Sequence, residues 1–127
     1  MTKPNPKLKH PDKKISENFL DFAAPLLDTL PENPGEAELD PMLKVAFMAW
    51  NAVVYADAVN NQKFLSEMRT LLGHDAISFA IVEGMIRRKR DLFGDDHRLI
   101  GEYKIIKENG GFKLRAEART PYSETRI

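Results

Sequence analysis

Asp95, Asp96, His97, Glu102 and Lys104 form the densest group of chemically capable side chains in this sequence. Two of the carboxylates could hold a divalent cation, and the lysine could position or activate a water molecule. Glu102 and Lys104 are two residues apart, so on a strand they share a face. The spacing argues against a site. Asp96 stands only six residues before Glu102 and follows Gly94, a residue suited to ending a helix. An Asp-Asp-His-Arg run at such a place ordinarily builds a turn.

An acid followed by Glu-x-Lys is a residue set that some metal-dependent nucleases use, with the first acid on a separate strand far off in sequence. An enzyme of that kind at Asp96, Glu102 and Lys104 is carried as the second alternative function. Other catalytic templates fail. His10, His74 and His97 have no i, i+4 pairing on a helix, which disfavours zinc. No glycine-rich loop joins a strand to a helix, and no Gly-x-Ser-x-Gly occurs. Cysteine is absent, which excludes disulfides, thiolate metal sites and cysteine nucleophiles. No catalytic residue, metal site or cofactor is assigned.

Arg87, Arg88, Lys89 and Arg90 make the best case for a nucleic-acid partner. Four successive cations spread around a helix surface, and Lys104, Lys113, Arg115 and Arg119 follow on a hairpin, a pattern that suits phosphate contacts. The competing reading is a solvated helix end, where cations complement the negative end of the dipole. Net charge is zero, but it is unevenly spread. Residues 1–60 hold six Lys and Arg against nine Asp and Glu, and residues 61–127 hold thirteen against ten. A nucleic-acid-binding accessory protein is the first alternative.

Trp50, Asn51, Tyr55 and Asp57 lie along an apolar helix and could line a small-molecule pocket. Packing explains them more simply. Large aromatics in a central helix normally fill a core. A buried Asn51 must satisfy its amide by clamping a loop backbone or meeting Tyr55.

The elements that must position these residues follow from periodicity. Residues 1–14 hold three prolines and five lysines and read as a disordered basic tail. Phe19, Phe22, Ala23, Leu26 and Leu27 give a helix from Ser16 to Leu30, kinked or divided at Pro25. Asp40-Pro41 predicts the start of a buried central helix over 41–59, apolar nearly all round, with Asn60-Asn61 as its break. A helix over 62–72 stops at Gly73, and a last one follows His74 or Asp75 and ends at Gly94. In that last helix Ile77, Ile81, Met85, Leu92 and Phe93 are expected to face inward, with the basic run outside.

The period then changes to two. Tyr103 and Ile105 alternate with charged residues, and after Asn109-Gly110-Gly111 so do Leu114 and Ala116, which predicts a hairpin over about 99–119. A turn at Asn109-Gly110 would oppose Lys104 to Arg115 and Glu102 to Glu117. A turn at Gly110-Gly111 would oppose Lys104 to Glu117 and Glu102 to Arg119. Like charges directly opposed cost energy, so the second register is expected, with a neutral outer face. The hairpin leaves two open edges, and pairing of one edge between two copies predicts a homodimer.

The fold class is therefore α+β, mainly α: about four helices around the central helix 41–59, with the hairpin at the C-terminus. Residues 15–120 read as a single globular domain and 121–127 as a C-terminal tail. At 43% hydrophobic and 30% charged residues the chain is too apolar for disorder and too polar for a membrane protein. The cysteine-free composition suits the cytoplasm. Lacking a nucleophile, metal cluster or phosphate loop, the chain reads as a small non-catalytic interaction or regulatory module acting through protein partners or itself.

Overall fold

A computed structural model describes residues 14–121. Of the expected basic tail at 1–14 and C-terminal tail at 121–127, residues 1–13 and 122–127 lie outside the described residues. The described residues form four helices and an antiparallel hairpin: α1 (Ile15–Leu27), α2 (Glu36–Ala58), α3 (Lys63–Leu72), α4 (Ala76–Phe93), β1 (Leu99–Glu108) and β2 (Gly111–Arg119). This is the mainly helical α+β arrangement expected from the sequence.

The central helix is α2, which packs against α1, α3, α4 and β1. Alanines 46, 49, 52 and 56 lie in its buried surface and let neighbours approach closely, while Trp50 fills the centre. The Trp50 ring meets Phe22 and Phe93 at centroid distances of 5.4 and 5.5 Å. The helix begins at Glu36, five residues before Pro41. Glu36, Ala37 and Glu38 favour helix and place acids at its positive end. The Glu38 carboxylate also accepts the Gly35 N–H at 3.1 Å. Pro41 removes a bond only from Ala37, whose exposed first turn water can reach. At the other end Asn60 takes a left-handed φ of 56°, and the Asn61 N–H returns to the Tyr55 carbonyl at 2.9 Å.

Pro25 does not divide α1. Its missing N–H frees the carbonyl four residues back, that of Asp21. Arg88 of α4 takes up that carbonyl with Nη2 at 2.7 Å and the Phe22 carbonyl with Nε at 3.0 Å. A tertiary donor replaces the lost helical one, and the helix ends two residues later at Leu27 rather than at Leu30.

Asp75 caps α4 by accepting the Ser78 N–H at 2.8 Å. Gly73 separates α3 from α4, where a Cβ would lie 2.8 Å from the Arg69 carbonyl oxygen. The inward stripe of α4 is Val82, Met85, Ile86, Lys89 and Phe93. Traced back by helical period it reaches Ser78, so Ile77 and Ile81 fall about 100° off it. The expected inward positions of Ile77 and Ile81 are thus corrected to exposed ones, and the expected outward position of Lys89 to a buried one.

The hairpin takes the register that opposes like charges. Lys104 faces Arg115 and Glu102 faces Glu117, around a turn at Asn109-Gly110 in which Gly110 has a φ of +73°. The expectation of a Gly110-Gly111 turn fails because inner-face pairing outweighs the exposed charges. In this register Ile105 stands opposite Leu114 and Tyr103 opposite Ala116, whereas the other would set Lys107 against Leu114. A bulge between Ile100 and Glu102 lets the successive residues Leu99 and Ile100 both point into the core.

Candidate functional site

The polar residues that looked capable of chemistry are bound to the fold. Lys89 is 1% exposed, and its Nζ donates to the carbonyls of Phe93 at 2.7 Å and Asp96 at 2.9 Å while lying 4.5 Å from the centroid of Trp50. It thereby closes the C-terminal end of α4. Burial pulls its amine down to about 8, against the attraction of Asp96, Asp57 and Asp95. Arg88 bridges to α1 as described, and Arg90 grips Asp57 of α2 through two bonds of 3.0 and 2.9 Å. Arg87 is exposed. The basic run is mostly the seam that ties α4 to its neighbours.

Asp96 is 2% exposed and accepts from Asn18 Nδ2 at 2.8 Å and from Arg98 Nε and Nη2 at 2.8 and 2.7 Å. Burial opposes its charge, but the bonds from Arg98 and Asn18 prevail and hold its carboxyl below the usual range. Glu102 and Lys104 lie exposed on the outer face of the hairpin, apart from this buried node. Among the described residues no group of three His, Asp or Glu side chains is placed to hold a metal ion. His97 bonds the Gly94 carbonyl, the turn role its position suggested.

The four residues read as a pocket separate. Trp50 is fully buried and donates to the Arg98 carbonyl at 2.7 Å. Asn51 clamps the backbone at the start of β1, donating to the Ile100 carbonyl at 2.9 Å and accepting its N–H at 2.8 Å. Asp57 belongs to Arg90. Only Asn51 and Tyr55 line a common cavity, a groove of about 280 Å³ between α2 and α3, where Tyr55 stacks on Phe64 at 4.6 Å.

What the structure does leave open is apolar. At the corner where α3 turns into α4, Leu71, Ile77, Phe79 and Ile81 are 64%, 77%, 48% and 44% exposed. Helical spacing puts Ile77 and Ile81 on one side of α4 and Phe79 on another. Phe79 lies over Gly73, and Ile81 shares a groove of about 160 Å³ with Leu72, Leu26, Met42 and Val45. Leu71 borders the neighbouring groove between α2 and α3. Arg69 and Glu83 lock the two helices beneath it through bonds of 2.7 and 3.1 Å. Sequence periodicity assigned Ile77 and Ile81 to the core. No signal within α4 sets Ile77 and Ile81 apart, because the face that turns inward is chosen by packing against α2.

Among the described residues no helix is long and apolar enough to cross a membrane. No family model, curated protein or solved structure matches this chain.

Proposed function

We propose that this protein is a non-catalytic interaction module of the cytoplasm that acts through a protein partner docked on the α3–α4 corner. The observation that carries the reading is the exposure of Leu71, Ile77, Phe79 and Ile81 on a locked helical turn. Isolated apolar side chains on a surface are ordinary, but four of them crowded into residues 71–81, two of them lining grooves, support a protein contact there. The binding of Lys89, Arg88, Arg90 and Asp96 to internal partners supports an absence of catalysis and weakens the phosphate-binding alternative. The strand edges once expected to pair two copies are each partly occupied, by Ser16 at Ala116 and by Asn51 at Ile100. A monomer awaiting a different protein is therefore the form we favour.

The test is site-directed photo-crosslinking in cells, with a benzophenone side chain at Ile77 or Phe79 and a control at Glu117 on the hairpin. A discrete adduct from the corner, absent at the control and lost when Ile81 and Leu71 are changed to Ser, is expected. No adduct, or the same adducts from both surfaces, refutes the proposal.

A further inference from the structure

The edge of β2 that faces away from β1 runs beside α1. On it the Ala116 N–H donates to the Ser16 hydroxyl at 2.8 Å, and that hydroxyl donates to the Ala116 carbonyl at 3.2 Å. A serine side chain here stands in for one residue of a neighbouring strand. The two-residue period of a strand carries the backbone groups of Leu114 and Phe112 onto the same edge. Among the described residues no third strand meets them.

Between this edge and α1 lies a groove of about 540 Å³. Leu20, Phe112 and Leu114 supply its apolar surface, and Lys14, Lys113 and Arg115 supply cations against the carboxylates of Glu17 and Glu108. The register adds a further cation, since Lys104 stands directly opposite Arg115. A like-charge pair of this kind is costly within the hairpin alone and is relieved by an anion brought beside it.

We propose that this groove binds an extended segment of a protein partner, added as a third strand to β2, in which acidic side chains alternate with apolar ones. The inference rests on the reading of the chain as an interaction module and gives it a second surface. Main-chain groups of the segment pair with Phe112 and Leu114, and alternate side chains go to opposite faces. Those on the inner face meet Leu20 and Leu114, and those on the outer face meet Lys113 and Arg115. A second copy of this chain fits less well. Twofold pairing of β2 with β2 centred on Leu114 would set Lys113 of each copy against Arg115 of the other.

The experiment titrates the full chain with a fluorescein-labelled Asp-Val-Glu-Val-Asp-Val peptide at low salt, read by anisotropy. Saturable binding is expected, weakened about tenfold or more by Lys113→Glu with Arg115→Glu, as loss of complementary charge requires. Phe112→Pro removes an edge donor without removing a bond to β1, and is expected to weaken binding likewise. Near-ultraviolet circular dichroism checks that each variant is folded. Absence of saturable binding, or equal affinity in the charge-reversed protein, overturns the proposal. So does a dimer in sedimentation that Phe112→Pro dissociates, which would make the occupant a second copy. Binding of a single-stranded oligonucleotide in place of the peptide, lost on the same reversal, also overturns it. Crosslinking at Ile77 reads the corner independently, so adducts there without peptide binding remove the groove alone.

Discussion

Lys89 makes a titration of this protein informative in an unusual direction. Its amine titrates at about 8 in the fold and near 10.4 in an unfolded chain. Between those values the unfolded state binds more protons, so stability rises with pH. At about 1.36 kcal/mol per unit of difference, with the curvature at both ends included, the gain from pH 8 to pH 10 is about 2 kcal/mol. The neutral amine still has two N–H groups for the carbonyls of Phe93 and Asp96, so the fold keeps both bonds. Tyr103 works against this trend only at the upper limit. Burial and its bond to Asp40 raise its phenol, whose stabilisation is complete below pH 10 and is lost above it. Urea unfolding of the wild type and of Lys89→Met at pH 7, 8, 9 and 10 isolates the lysine, because every other group is common to both. The gap between the two proteins should move by about 2 kcal/mol toward the wild type between pH 8 and pH 10. Parallel stability curves across that range would show that the buried amine is not held near 8 and would refute the reasoning.

Two further predictions concern backbone accounting and register. Arg88→Met should cost about 1–3 kcal/mol by orphaning the Asp21 carbonyl. Less should be lost in a Pro25→Ala background, where residue 25 regains an N–H, and a double-mutant cycle by chemical denaturation should return a coupling of about 1 kcal/mol. Lys104→Glu should raise stability by a few tenths of a kcal/mol, up to about 1, because it places opposite charges across from one another at Arg115. A thermal melt showing a loss for that substitution would mean that the register differs.

The sequence was most legible where one physical signal dominated. The apolar α2, the Asp75 cap and the hairpin strands follow from period and composition alone, and Asn51 clamps a backbone as a buried amide must. The start of α2 was misplaced because Asp40-Pro41 is a strong local signal, while the helix-forming Glu36–Glu38 turn before it is a diffuse one. The hairpin register was misjudged because charges were weighed at exposed positions while the opposition of Ile105 to Leu114 was not. The inward turn of Lys89 and the exposure of Ile77 depend on which face of α4 meets α2. That is a tertiary choice a single helix does not encode. The apolar corner was hidden for the same reason, since its residues are ordinary core types.

Ser16 and Ala116 are 100 residues apart, so their bond fixes an order of events during synthesis. At about 5–20 residues per second, Ser16 is made roughly 5–20 s before Ala116. Asn18 waits through most of that interval for Asp96, and the Asp21 carbonyl waits for Arg88. Until then α1 can lay Phe19, Phe22 and Leu26 on α2, but its polar side stays wet and its proline uncompensated. Among the described helices α1 is made first and is among the last to be finished, and the growing chain spends that time with a nascent helix pair in need of shelter.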